Sequence, residues 1–90
     1  MEKVVISVLG KDTVGIIAKI CTNLAANKVN VLDISQTILD GLFNMMMIVD
    51  IAGCDKDLAT IQEELDTIGS ELGVNIKAQR TEIFEKMHRI

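Results

Sequence analysis

Two apolar runs constrain the fold of this chain more than any other feature of its sequence. The first extends from Val4 to Leu9 and is interrupted only by Ser7, and the second comprises Phe43 and the stretch from Met45 to Val49. Both runs put apolar side chains on both faces of a strand, as expected for strands with neighbours on both edges and cover on both sides. We therefore predict two central strands, the second lying within residues 42–52.

A first amphipathic helix follows the first strand. Its apolar positions recur with the spacing of one helical face: Ile17, Ile20, Cys21, Leu24 and Ala25. Asp12 or Thr13 is the predicted N-cap, because short polar side chains accept hydrogen bonds from the first N–H groups of a helix. Asn27, followed by Lys28, is the predicted end, because asparagine tolerates the left-handed conformation that terminates helices.

A second helix is predicted from a cap at Asp55 to a stop at Gly73. Its apolar stripe has alternating spacings of three and four residues: Leu58, Ile61, Leu65, Ile68 and Leu72. Further strands are predicted over residues 29–39 and 74–79, and Asp40-Gly41 is typical of a type I′ hairpin turn. The last apolar residues recur at helical spacing and predict a short C-terminal helix: Ile83, Phe84, Met87 and Ile90.

The order of these elements is βαββαβ, which predicts an α+β, ferredoxin-like fold in one domain spanning residues 1–90. Its antiparallel sheet has both helices on one face. The apolar side chains of the other face then need further cover, and they are one alternating set among five candidates: Val5, Leu9, Met45, Met47 and Val49. A partner subunit or the C-terminal helix is expected to supply this cover.

Charge and composition exclude several classes of partner. The net charge is −4, and the chain has two phenylalanines and neither tryptophan nor tyrosine. An acidic chain with so few aromatic residues lacks the basic surface and stacking platforms of nucleic-acid binding, and its charge also disfavours anionic membranes. No apolar run approaches the length of a membrane span, and Cys21 and Cys54 are placed as reduced thiols. We expect a soluble, cytoplasmic protein.

Residues that support catalysis or metal binding are scarce. His88 is the sole histidine and lies beside Arg89, and the loop after the first strand has no cysteine pair for a metal ion. Gly10 and Gly15 have the spacing of a phosphate-binding loop, but the lysine and hydroxyl residue that must follow are absent. We therefore predict no enzymatic activity, no metal and no cofactor. The two glycines either shape a tight turn or expose helix N–H groups to a small anion.

The segments from Gly10 to Ala18 and from Asn30 to Gln36 strongly resemble the ACT domain, a regulatory module that commonly senses amino acids. The resemblance covers nearly the whole chain and is greatest to small stand-alone members and to regulators of the glycine-cleavage-system repressor type. It implies a homodimer with linked sheets. In ligand-binding members, an amino acid lies between the loop before the first helix of one subunit and the start of the second strand of its neighbour.

The same resemblance implies the residues of a binding site. The matching loop positions are Gly10, Asp12 and Gly15, and the matching strand positions are Asn30 and Val31. An asparagine amide and backbone N–H groups suit a carboxylate, and an aspartate suits an ammonium group. Two functions follow: a dimeric sensor that binds an amino acid or similar small molecule and signals to a partner protein, or a ligand-free dimeric adaptor between proteins.

Overall fold

Four strands and two helices follow one another in the order predicted from the sequence. The computed structural model describes residues 1–81, and the predicted C-terminal helix lies outside these residues. The elements are β1 (Lys3–Lys11), α1 (Ile16–Ala26), β2 (Asn30–Leu39), β3 (Leu42–Asp50), α2 (Leu58–Leu72) and β4 (Val74–Arg80). The ferredoxin-like βαββαβ prediction is confirmed.

The strands form one sheet in the order β2-β3-β1-β4, in which every neighbouring pair is antiparallel. β1 and β3 are therefore the two central strands, as their apolar runs predicted. The connection between β2 and β3 is the predicted hairpin, with φ of 54° at Asp40 and 75° at Gly41. Positive φ at both central residues is the requirement of a type I′ turn, and Asp-Gly meets it at little cost.

Both helices pack on one face of the sheet, as predicted. The pairing register puts Val4, Ile6 and Val8 of β1 on the same face as Met45 and Met47 of β3. These side chains form one buried core with apolar residues of the two helices: Ile16, Ile20, Leu24, Ile61 and Leu65. Each such side chain contributes roughly 1.5–3 kcal/mol by leaving water, so this core is the main source of stability.

The opposite face of the sheet, called the open face below, carries Val5, Leu9, Leu42, Met46 and Ile48. The structure places neither α1 nor α2 over it. Leu9 and Met46 are 49% and 40% exposed, whereas Val5 is only 4% exposed. The helices therefore supply no cover for Leu9 and Met46, and cover by a partner subunit or the C-terminal helix stays a prediction.

The helix termini differ from their predicted caps. α1 begins after Gly15, which has φ of 92° and makes no side-chain cap hydrogen bond, because β1 continues to Lys11 and the following residues form the turn. The predicted caps Asp12 and Thr13 are therefore wrong. α2 is capped by Asp57, whose carboxylate accepts a hydrogen bond of 2.9 Å from the backbone N–H of Thr60. The predicted cap at Asp55 is also wrong.

At the end of α1 the left-handed residue is Lys28, with φ of 59°, and not Asn27. Asn27 is only 9% exposed, and its side-chain amide donates a hydrogen bond of 2.9 Å to the Glu64 carboxylate on α2. The side chain is thus held towards α2, and the backbone reverses one residue later. Gly73 ends α2 with φ of 73°, as predicted.

Glu64 links the two helices through a polar cluster. Its carboxylate accepts hydrogen bonds from the amides of Asn23 (2.8 Å) and Asn27 (2.9 Å) and forms an ion pair with Lys56. The bond from Lys56 first, and then those from the two amides, lower the pKa of Glu64 to about 2. Each bond favours the ionised carboxylate over the acid.

This cluster predicts an acid limit to stability. Because the pKa of Glu64 is lower in the folded than in the unfolded chain, its contribution is complete above about pH 4.5 and is lost as the pH falls towards about 2. The variant Glu64→Gln should therefore show a weaker loss of stability over this pH range, measured by chemical denaturation. The control is Glu63→Gln, an exposed neighbour on α2, which should keep the parent's pH profile. Equal profiles for all three proteins would contradict this role of Glu64.

Candidate functional site

The loop between β1 and α1 lies beside the β2–β3 hairpin. The backbone N–H of Asp12 donates a hydrogen bond of 2.8 Å to the carbonyl of Gly41, which fixes the start of the loop. Asp12 itself is exposed. Since Gly15 offers no side-chain cap, the first N–H groups of α1, at Ile16 and Ile17, are not bonded by a capping side chain. Oriented N–H groups at a helix start favour an anion.

Glycine is favoured at the two positions of this loop, Gly10 and Gly15, for different structural reasons. A Cβ atom at Gly10 would lie 2.8 Å from the Cα of Val74, so this position is a close approach between β1 and β4. A Cβ atom at Gly15 would meet no atom within 4 Å, and glycine is favoured there by its φ of 92°. Gly10 is thus explained by sheet packing alone, whereas Gly15 shapes the turn that exposes the start of α1.

Asn30 and Val31 lie at the other end of the molecule. Asn30 is aligned with Asp50 at one end of β3, whereas Lys11, next to Asp12, is aligned with Leu42 at the other end. At about 3.3 Å per residue, these eight residue steps separate Asn30 from the loop by roughly 26 Å. One copy of the chain therefore does not bring the predicted loop and strand residues together.

A β-bulge follows the predicted strand residues. The register of β2 on β3 shifts between Val31 and Asp33, so Leu32 is the extra residue. Bulges bend a strand and change the direction of nearby side chains.

Asp50, which is aligned with Asn30, has a structural role of its own. Its carboxylate accepts hydrogen bonds from the backbone N–H groups of Ala52 and Glu2, and these bonds lower the pKa of Asp50. Asn30 is exposed at this end of the edge strand.

The edge strand β2 is far more exposed than the other strands. Every residue of β2 except Val31 is exposed, and apolar side chains are among them. Ile34 and Ile38 are 42% and 54% exposed and are aligned with Met47 and Phe43 on the helix-facing side of the sheet. Neither helix extends over them. A strand that leaves such side chains in solvent is an expected site of pairing with another chain.

The other edge, β4, is closed by a side chain of α2. The amide nitrogen of Gln62 donates a hydrogen bond of 2.9 Å to the carbonyl of Ile76, and its amide oxygen accepts one of 2.8 Å from the backbone N–H of Ala78. These are outward-facing groups of the edge strand. Gln62 therefore occupies the positions that an added strand would use, whereas no side chain of the described residues bonds the backbone of β2 in this way.

Sequence reasoning did not find Gln62 or the bulge at Leu32. Gln62 is a polar residue on a helix whose apolar stripe was recognised, and nothing in its spacing indicates that it reaches a strand 14 and 16 residues later. The bulge has no glycine to mark it.

Within residues 1–81, no helix is long and apolar enough to cross a membrane, and no group of three or more potential ligands is placed to hold a metal ion.

Comparison with known proteins relates the chain to one family. Residues 2–79 match the ACT domain family. A UPF0237 protein of Bifidobacterium longum is 60% identical over 90 residues, which are all of this chain and all of that protein. An ACT domain protein from Streptococcus pneumoniae superimposes with a TM-score of 0.80 at 38% identity, covering 93% of this chain and 94% of that chain.

A more distant structure shares the fold alone. The regulatory subunit of aspartate kinase from Thermus thermophilus superimposes with a TM-score of 0.67 at 22% identity. The match covers 87% of this chain and 50% of that chain. The fold described above is therefore found both in proteins of this length and within a larger regulatory subunit.

The closed edge of β4 gives a prediction about assembly. Gln62→Ala removes both hydrogen bonds to β4 and leaves its outward N–H and carbonyl groups free, so a second edge becomes available for pairing. We expect species larger than those of the parent by analytical ultracentrifugation at equal concentration. The control is Gln36→Ala on β2, which removes an exposed glutamine without such bonds and should not enlarge the assembly. If Gln62→Ala sediments like the parent, Gln62 does not protect this edge.

Proposed function

The chain belongs to the ACT domain family, and we propose that it is a homodimeric regulatory module that binds an amino acid or similar small zwitterion between its two copies. Binding would alter the surface that it presents to a partner protein. One observation carries this proposal: the loop and strand residues that match the family's binding site lie at opposite ends of the sheet in one chain. A site built from both needs a second copy.

Antiparallel pairing of β2 with β2 of a second copy would bring these residues together. β2 starts at Asn30 and ends at Leu39, next to the hairpin that contacts the Asp12 loop. In a two-fold pairing the start of one strand lies beside the end of the other. Asn30 of one copy would then approach the loop of its neighbour, and the dimer would contain two such sites.

The two edges of the sheet support pairing through β2. Gln62 already bonds the outward groups of β4, so an added strand there would have to displace two hydrogen bonds. β2 is exposed along its length, and pairing would remove Ile34 and Ile38 from water. Each apolar side chain that a partner buries adds roughly 25 cal/mol per Å² to association.

The chemistry of the loop and strand suits a zwitterion. Uncapped N–H groups at the start of α1 would favour the carboxylate of a ligand. The exposed carboxylate of Asp12 would accept hydrogen bonds from an ammonium group, and the amide of Asn30 from the other copy would donate to the ligand carboxylate. Gly15 keeps the approach to these N–H groups free of a side chain.

A ligand-free adaptor is the second candidate function, and one observation favours it. Val14, at the tip of the same loop, is 97% exposed, and Ile17 on the first turn of α1 is 37% exposed. An apolar loop tip of this kind fits a protein partner as well as it fits a ligand. The absence of any response to amino acids would favour this function over that of a sensor.

Dimerisation through β2 is tested by adding charge to each edge. Ile34→Lys puts an ammonium group into the proposed interface, and a two-fold axis would bring two of them close together. We expect its dimer to dissociate at concentrations at which the parent is dimeric, measured by analytical ultracentrifugation. The matched control is Asn75→Lys on β4, which adds the same charge at the other edge and should leave the parent's assembly unchanged. The reverse result would place the interface at β4.

Ligand binding is tested by thermal unfolding with each of the twenty amino acids. A ligand at 100 times its dissociation constant adds about 2.7 kcal/mol, so a selective rise in the midpoint identifies it. Asp12→Asn and Asn30→Ala should fold normally, since both side chains are exposed, and should lose this rise. Asp33→Asn and Asn75→Ala are the matched controls, as exposed residues of the same types outside the site, and should keep it.

Mixing the two loss-of-binding variants separates a shared site from a site within one chain. In a mixed dimer of Asp12→Asn with Asn30→Ala, one site carries both changes and the other carries neither. Calorimetry of the mixture should therefore recover binding with the parent's affinity at one site per mixed dimer. If the mixture stays inactive while mixed dimers form, the two residues do not belong to one site across the interface.

A further inference from the structure

We propose that two copies of the chain pair through β2 in one particular register, in which Gln36 of one copy lies opposite Gln36 of the other on the two-fold axis. The inference rests on the function proposed above and specifies how the second copy is placed. Residues directly opposite each other in an antiparallel pair have side chains on the same face of the sheet. The axis must therefore lie level with one residue of β2 and not between two residues.

The length of the regular part of β2 is the first observation that selects this register. The bulge at Leu32 interrupts the strand on one side, and the two-residue turn ends it on the other. Residues 33–39 lie between them and are aligned with β3 without a further shift. Gln36 is the midpoint of this segment, so an axis there pairs the whole segment with its counterpart. An axis at Ser35 extends the pairing into the bulge, and one at Thr37 extends it into the turn.

The apolar side chains that β2 leaves in solvent are the second observation. Ile34 and Ile38 are 42% and 54% exposed, and both lie on the helix-facing side. With the axis at Gln36, Ile34 of each copy lies opposite Ile38 of the other. Directly opposite β-branched side chains stabilise a strand pair. With the axis one residue to either side, Gln36 takes the place of an isoleucine in these pairs, so the proposed register is the one that buries the isoleucines against each other.

The side chains on the open face are also compatible with this register. Ser35 of one copy lies opposite Thr37 of the other, and directly opposite hydroxyl groups stabilise a strand pair by hydrogen bonding. Asp33 lies opposite Leu39. The register therefore puts no like charges directly opposite each other.

The same register determines where the two halves of the proposed site meet. Gln36 is aligned with Met45 of β3, and Val31 is aligned with Val49, four positions further on. Gly41 precedes Met45 by the same four positions. The two-fold axis at Gln36 therefore brings Val31 of one copy level with Gly41 of the other. The carbonyl of Gly41 accepts the hydrogen bond that fixes the start of the loop before α1.

This alignment is sensitive to the register. Moving the axis by one residue moves Val31 by two positions, or about 7 Å, along the neighbouring copy. The register selected by the bulge and by the isoleucines is thus also the one that brings the strand half of the site to the loop half.

Disulfide cross-linking tests the register in the full-length chain. Single cysteines are introduced by Ser35→Cys, Gln36→Cys and Thr37→Cys after Cys21→Ala and Cys54→Ala have removed the native thiols. With the axis at Gln36, the two α-carbons of Gln36→Cys are about 5.5 Å apart, which suits a disulfide. Those of either neighbouring variant lie diagonally at roughly 7–8 Å, which is too far.

With oxidised glutathione, we expect Gln36→Cys to form a covalent dimer and each neighbouring variant alone not to do so. An equimolar mixture of Ser35→Cys and Thr37→Cys should form one, because these residues lie opposite each other. Faster cross-linking of either neighbouring variant alone than of Gln36→Cys would overturn the register but leave pairing through β2 intact. A dimer by ultracentrifugation that cross-links in none of these samples would overturn pairing through β2. A chain that stays monomeric would overturn the dimeric function itself.

Nuclear Overhauser effects give a second measurement that needs no substitution. Ile34 and Ile38 are four residues apart on one extended strand, roughly 13 Å, so their methyl groups give no effect within one chain. In a mixture of differently labelled chains, we expect an effect between Ile34 of one copy and Ile38 of the other. Effects between the Ile34 methyl groups of the two copies instead, or none between the two chains at β2, would contradict the register.

Discussion

The pairing of β1 with β3 is the constraint on which the rest of the structure depends. The two strands are aligned over nine residues, from Lys3 opposite Asp50 to Lys11 opposite Leu42. A slip by one residue would turn Met45 and Met47 from the core to the open face, so burial of these side chains fixes the register. Once it is fixed, the hairpin of Asp40 and Gly41 and the loop at Asp12 lie at one end, and Asn30 lies at the other.

This geometry separates the residues that are proposed to bind a ligand within one copy of this small domain. A chain of 90 residues has room for one core and not for a deep internal cleft. The residues suited to a zwitterion are exposed, and they are separated by the length of the sheet. In the proposed dimer, two separated half-sites would form two complete sites, and ligand binding would be linked directly to association.

The two edges of the sheet differ in how far side chains of the described residues bond their outward backbone groups. An open sheet exposes two rows of unpaired backbone groups, and either row can add a strand. Here the side chain of Gln62 bonds the outward groups of β4, at 2.9 Å and 2.8 Å, while β2 keeps its exposed apolar side chains. With β4 closed, the proposed pairing through β2 would stop at two copies instead of continuing as a fibre.

Patterns that are local in sequence determined the element order, the two central strands, the hairpin turn and the end of α2 at Gly73. Each depends on periodicity or on the φ preference of one or two residues. The caps were misplaced because Asp55 and Asp57 are equally suitable in sequence, and only the path of the chain selects between them. The end of α1 at Asn27 was predicted correctly, but the left-handed residue is Lys28, because the Asn27 side chain is held by Glu64, 37 residues later.

Resemblance supplied the candidate residues and implied that they come from two subunits, but it did not give their separation within one chain. Only the tertiary structure placed Asp12 and Asn30 at opposite ends of the sheet, assigned Gly10 to the close packing of β1 on β4, and closed one edge with Gln62. The physical reason is common to all three. Each depends on contacts between residues that are distant in sequence, and such contacts exist only after burial of the core has fixed the register of the strands.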